Sequence, residues 1–187
     1  REIDKAYIKI QDGCDRFCTF CKIPFARGKK RSRNLHSILE ECKIVLEEGY
    51  KEIVLIGIHI GAYGEDLNES CSLDDVLEEI LKLEGLSRLR LSSVYPESIT
   101  DRFIDLMQHP KLMPHLHFSI QAADDKVLAL MKRRYDTNLL DRIFSKISSE
   151  VDDIAFTGDV IVGFPGEEDE NFLNTYNFVK KFIVKTS

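Results

Sequence analysis

No stretch of this sequence approaches the eighteen or so consecutive apolar residues of a membrane-spanning helix, and no signal-peptide pattern opens it. A cytoplasmic protein with no membrane partner is therefore expected. Internal repeats, low-complexity tracts and a convincing linker are also missing, so the 187 residues read as one domain, long enough to bury a core. Positive charge is in deficit: 26 Lys and Arg against 32 Asp and Glu leave a net charge of −6. The molecule as a whole is no polyanion binder, and any contact with nucleic acid has to come from a local patch. What is present, 43% apolar and 31% charged residues, has the balance of a globular domain.

Short β-branched runs alternate with amphipathic segments. Strands are expected at 6–10, 52–57, 88–93, 116–121 and 155–163, and helices at 34–48, 73–84, 100–108, 124–133, 137–149 and 168–182. Ser72 with Asp75 three residues on, Thr100, Asp124 and Thr137 stand at helix starts, and Gly49 and Gly85 at helix ends. The alternation implies right-handed βαβ units around a parallel sheet, open or barrel-like, with functional loops at the carboxyl ends of the strands. A further strand is expected after the last helix.

Cysteine is scarce and unevenly spread. Three of the five lie within eight residues, Cys14, Cys18 and Cys21, in a C-x3-C-x2-C loop; clustering of this kind in a reducing compartment points to metal ligation or catalysis before disulfides. Thiolates suit zinc or iron–sulfur clusters. A closed zinc site needs a fourth ligand, and no second Cys or His pair follows at finger-like spacing. Three thiolates instead leave one iron of a 4Fe–4S cube open for chemistry. A Cys3His zinc site completed by His36 or His59, or three unrelated thiols, are the alternatives. Cys42 falls on the apolar spacing of a helix and reads as a buried small hydrophobe; Cys71 carries no assignment.

The loop "CDRFCTFC" resembles the signature of radical S-adenosylmethionine (SAM) enzymes, with Phe20 directly before the third cysteine. The segments "IQDGCDRFCTFCKIPFARGKKRSR", "YKEIVLIGIHIGAYG", "RLRLSS", "PHLHFSIQ" and "GDVIVGFPGEEDENF" together are similar to the core of the MiaB-like methylthiotransferases, over nearly the whole chain. The resemblance implies a partial (βα) parallel barrel, possibly without its last strand. It implies a 4Fe–4S cluster on Cys14, Cys18 and Cys21, and SAM at the open iron, split by one electron into methionine and a 5′-deoxyadenosyl radical. Its partners would be a tRNA anticodon loop and an electron donor such as a flavodoxin or ferredoxin. "GIHIGAYG" and "RLRLSS" are most similar to the branch modifying N6-threonylcarbamoyladenosine at position 37 of tRNA. The isopentenyladenosine branch more often has Gln-Asn where this chain has Ile58-His59; a ribosomal-protein branch, another radical SAM substrate and a non-catalytic metal-stabilised RNA-binding module are the other readings. The family's second-cluster domain and RNA-binding domain are not in these 187 residues, so SAM cleavage rather than the complete methylthiolation is expected of them. Ala122-Ala123-Asp124 departs from the Ser-Gly-Ser that many members carry after the strand-four glutamine.

On the same rim stand Gly57, His59, Ser93, Gln121, Gly163 and Glu167, which with Phe20 of the cysteine loop are candidate SAM contacts. Each has a plainer reading: a tight turn for "GFPG", a helix N-terminus for Glu167, a satisfied strand-end polar group for Ser93 and Gln121, a structural histidine for His59. The cations Lys22, Arg27, Lys29, Lys30, Arg31 and Arg33 suit RNA phosphates or the SAM carboxylate, or else are loop cations paired with helix acids. Lys132, Arg133 and Arg134 read as helix-end cations complementing the macrodipole.

Overall fold

A computed structural model describes residues 5–183 of the chain. Its strands are β1 (Ala6–Lys9), β2 (Gln11–Asp12), β3 (Arg31–Ser32), β4 (Glu52–Ile56), β5 (Arg88–Leu91), β6 (His115–Gln121) and β7 (Ala155–Val160). Its helices are α1 (Ile23–Arg27), α2 (Leu35–Glu47), α3 (Leu73–Leu81), α4 (Asp101–Met107), α5 (Asp125–Leu130), α6 (Thr137–Glu150) and α7 (Asp169–Phe182). The five expected strands and six expected helices all form; β2, β3 and α1 are additions. The strand expected after the last helix falls outside the described residues. Among those residues no helix is long and apolar enough to cross a membrane.

β1 pairs with β4, β4 with β5 and β6 with β7, all in parallel. Isolated parallel bridges, Leu89 with Leu112 and Val94 with Phe118, join the two ladders. The order is thus β1-β4-β5-β6-β7, each strand added to the same edge. Right-handed crossovers then put every connecting helix on one face. Accordingly α2 packs beside α3, α3 beside α4 and α4 beside α6. This is the wall of a partial barrel, and no closed barrel forms among the described residues.

Parallel sheets are usually apolar on both faces. Here one face is. Leu116, Phe118 and Ile120 of β6 are buried, while the alternating His115, His117, Ser119 and Gln121 are half-buried. His115 and His117 share the Thr157 hydroxyl at 2.9 Å, and His117 reaches Asp159 at 3.1 Å. The polar face is the one a lumen requires; the apolar face lies under the helices. There α6 buries Leu140, Ile143, Phe144 and Ile147 at helical spacing. Phe144 meets Phe118, Phe156 and Phe178 at ring-centroid distances of 4.6, 4.7 and 5.0 Å, welding β6, β7 and α7. Each such buried ring is worth about 1.5–3 kcal/mol.

The caps explain most boundaries. Ser72 and Asp75 form a capping box, and Thr100 and Asp124 cap α4 and α5. Asp136, one residue before the expected Thr137, caps α6. α3 stops at Leu81, so Gly85 belongs to the following turn rather than to a helix end. α5 stops at Leu130, three residues short of expectation, because Lys132 turns left-handed at φ +57°. The Lys132 amide then donates to Ala129 O and the Arg133 amide to Leu128 O, at 3.0 and 2.9 Å. These are the two bonds of a Schellman motif, with lysine in the slot glycine usually fills.

Candidate functional site

Strand β1 runs into a loop, residues 13–30, whose two ends are clamped by the antiparallel β2–β3 pair. Gly13 makes the closure possible. It sits at φ +72°, and a Cβ there would lie 2.0 Å from Lys29 O; only glycine allows so close an approach. The Cys14 amide then donates to Gly28 O at 3.1 Å. The far side of the loop docks on the end of α5: the Thr19 amide donates to Met131 O and its hydroxyl to Leu130 O, using carbonyls the helix leaves open.

This loop carries all three clustered cysteines. Cys14 and Cys18 are buried, Cys21 is half-buried, and none is in a disulfide. Burial raises the Cys14 pKa, and Cys18 and Cys21 are close enough to raise it further. Cys21 Sγ accepts from the Ile23 amide at 3.4 Å, and Cys18 Sγ from Arg133 Nη1 at 3.5 Å. Among the described residues no three His, Cys, Asp or Glu side chains gather tightly enough for a single metal ion. A cube puts each sulfur on a different iron. Three soft donors on one clamped loop, two of their sulfurs supplied with N–H donors, have the chemistry that fits a 4Fe–4S cluster. Cys42 is fully buried, its thiol pushed up to about 12, as befits a core residue.

Backbone geometry fixes most of the rim residues, each at the end of its own strand. Gly57 follows β4, where a Cβ would stand 2.8 Å from Gln11 O and 2.7 Å from Ile60 Cγ2. Gln11 Oε1 accepts from the His59 amide at 2.8 Å, linking the first two strand ends. Gln121 ends β6 at φ +67°, and its carbonyl accepts from Ile161. Ser93 is half-buried on the loop after β5; it is the neighbouring Ser92 whose hydroxyl is buried without a partner. Glu167 Oε1 accepts from the Gly163 amide at 2.7 Å and so closes the "GFPGE" turn. Phe164 in that turn meets Phe20 edge-to-face at 6.4 Å. Asp124 accepts from Asn171 and Asn174 at 3.1 and 2.8 Å, so it ties α5 to α7 instead of facing the rim.

Most of the cationic run is neutralised. Arg27 and Arg31 flank Asp12 at 3.7 and 3.8 Å, Lys30 pairs with Glu65, and Arg33 with Glu41. Lys29 forms no ion pair among the described residues.

The sequence offered His59 as a SAM contact and Arg133 and Arg134 as helix-end cations, but singled out none of Arg16, Tyr95, Glu97 and Tyr135 packed around them. His59 is 3% exposed, stacks on Tyr95 at 4.1 Å, and its Nε2 has no partner. Burial, then Arg16, Arg133, Lys30 and Arg134, push its pKa down to about 3, so the imidazole is neutral at physiological pH. Arg16 pairs with Glu97 at 3.4 Å. A small cavity of about 80 Å³ opens here, lined by Arg16, Lys30, His59 and Arg134 with Asp15 and Glu65. Arg133, expected to serve a helix end, turns inward instead: Nη2 donates to Ser119 O at 2.6 Å and Nε to Tyr135 Oη at 3.0 Å. The Schellman turn at Lys132 is what redirects it. Two arginines in a row after a helix gave no such signal.

The sequence profile of the Radical SAM superfamily matches residues 8–179. The chain is 42% identical over 178 residues to the threonylcarbamoyladenosine tRNA methylthiotransferase of Bacillus subtilis, covering 95% of this chain and 40% of that protein. It is also 42% identical over 176 residues to the tRNA-2-methylthio-N(6)-dimethylallyladenosine synthase of a Hydrogenobaculum species, covering 94% of this chain and 40% of that protein. The chain therefore spans about 40% of the length of these relatives. In fold it is similar to a radical SAM methyltransferase from Kitasatospora setae solved with cobalamin and a [4Fe-4S] cluster bound. The TM-score is 0.78 at 18% identity, over 94% of this chain and 34% of that one.

Proposed function

The chain belongs to the radical SAM superfamily, and we propose that its 187 residues form the radical SAM core domain of a tRNA methylthiotransferase. The substrate we assign is N6-threonylcarbamoyladenosine at position 37, presented on an anticodon loop in the cytoplasm, with a flavodoxin or ferredoxin supplying electrons. The superfamily uses a 4Fe–4S cluster and SAM, which when bound and reduced supply a 5′-deoxyadenosyl radical able to take hydrogen from an unactivated carbon. In this reading Cys14, Cys18 and Cys21 hold the cluster. Phe20 and Phe164 screen it from water, Gly57 and Gly163 admit the nucleoside close to backbone, and Ser93, Gln121 and Glu167 bound its pocket.

One observation carries the substrate. The cavity beside His59 is lined by Arg16, Lys30 and Arg134, and among the described residues Arg134 has no carboxylate partner. A threonylcarbamoyl group ends in a carboxylate, which the Arg134 guanidinium can meet; a dimethylallyl group is apolar and would leave that one charge without a partner. The equal 42% identity to the Hydrogenobaculum enzyme favours the dimethylallyl substrate as a second reading. Mass spectrometry of tRNA nucleosides from cells lacking the gene separates the two. Loss of methylthio-threonylcarbamoyladenosine alone is expected; loss of the dimethylallyl product instead would transfer the substrate to the second reading.

A further inference from the structure

We infer that Arg133 is a positioning residue that raises the reduction potential of the cluster through the Cys18 sulfur. The inference rests on the reading that Cys14, Cys18 and Cys21 hold that cluster. Its observation is a cation placed where no carboxylate meets it. The guanidinium is half-buried, and among the described residues no acid lies within ion-pair reach of it. It lies over the rings of Tyr95 and Tyr135 at 4.5 and 5.0 Å, donates to Ser119 O and Tyr135 Oη, and directs Nη1 to Cys18 Sγ at 3.5 Å. Arginine does not shed its proton in a protein. A charge held this way is costly unless an anion faces it, and the one sulfur it touches is a proposed thiolate ligand.

Reduction adds one electron and hence one negative charge to a cluster already bearing three thiolates. A fixed positive charge and an N–H donor at a ligand sulfur stabilise that extra charge more than the oxidised state, so reduction becomes easier. The two tyrosine rings and the Ser119 carbonyl hold the guanidinium plane, which makes the contact a property of the fold and not of a mobile side chain.

The test is an EPR-monitored redox titration of the anaerobically reconstituted protein without SAM, comparing wild type with Arg133→Gln and Arg133→Lys. At wild-type iron content, Arg133→Gln is expected to make one-electron reduction about tenfold less favourable, a midpoint lower by about 59 mV. Arg133→Lys, which keeps the charge and loses the planar fork, should fall between. A midpoint in Arg133→Gln equal to wild type overturns the inference, as does an unchanged midpoint accompanied by weakened SAM binding. Depleted iron in both variants would make Arg133 a folding element and overturn it too. A wild-type chain that takes up no cluster would first remove the cysteine reading, and this inference with it.

Discussion

At the scale of single residues, the three loop thiols and the buried histidine make separable predictions. Cys14→Ala, Cys18→Ala and Cys21→Ala should each abolish cluster uptake on reconstitution, while Cys71→Ala, on a different loop, should retain wild-type iron and sulfide. Wild-type iron in the Cys18 variant would contradict the ligand set. His59 predicts a pH dependence of stability. Its folded pKa is about 3 against 6.5 in the unfolded chain, so between those values only the unfolded state binds the proton. The stability it contributes is complete above pH 6.5 and falls as the pH drops, by about 1.4 kcal/mol per unit. Depressed carboxylates such as Asp12 and Asp124 titrate below their ordinary 3.8. They leave the window from pH 6.5 to 5 to His59, with a contribution of the same sign from His115. Urea unfolding across that window should show a slope lower by about 1.4 kcal/mol per unit in His59→Phe, which keeps a ring on Tyr95. An unchanged slope would show that the histidine already titrates normally.

Among the elements, what could be read from sequence was what has a period. The five long strands and six helices follow from alternation and from 3.6-residue spacing, and Ser72, Thr100 and Asp124 mark starts because their side chains accept from the backbone where the structure shows them doing so. The two-residue strands β2 and β3 and the five-residue α1 are too short to carry a period. They form because Gly13 lets the loop ends close and Asp12 neutralises Arg27 and Arg31 across them. The end of α5 was illegible for another reason: a left-handed turn without glycine. That turn decides where Arg133 points, and it can be tested without touching the arginine. Left-handed backbone costs a residue with a Cβ about 1–2 kcal/mol, partly offset by glycine's greater unfolded freedom. Lys132→Gly should therefore stabilise the protein by about 0.5–1 kcal/mol in urea titration, with cluster uptake unchanged. Lys132→Val should destabilise it, and equal midpoints for the two would mean that the turn is not held.

Across the whole molecule, charge sets how tightly the proposed RNA can be held. The sequence shows the deficit, −6 overall, and a cationic stretch beside the cysteines; it could not show that Asp12 of β2, Glu41 of α2 and Glu65 of the turn after β4 fold back onto that stretch. Exposed ion pairs of this sort hold only weakly, yet each must open before its cation can serve a phosphate. Among the described residues, the outward-facing cations on this rim without a carboxylate partner are Lys22, Lys29 and Arg134, Arg133 being turned inward. Three phosphate contacts to a single strand give a slope of about −2 for log K against log salt, whereas engagement of the full run together with Arg134 would give about −5. Fluorescence anisotropy with an anticodon-loop RNA between 50 and 200 mM salt, on the order of the range where this term dominates, should find the shallow slope. Asp12→Asn releases Arg27 and Arg31 at once and should steepen it by about 1.4. A steep slope in the wild-type chain would mean that RNA displaces these acids unaided, and that the stretch beside the cysteines grips the substrate directly.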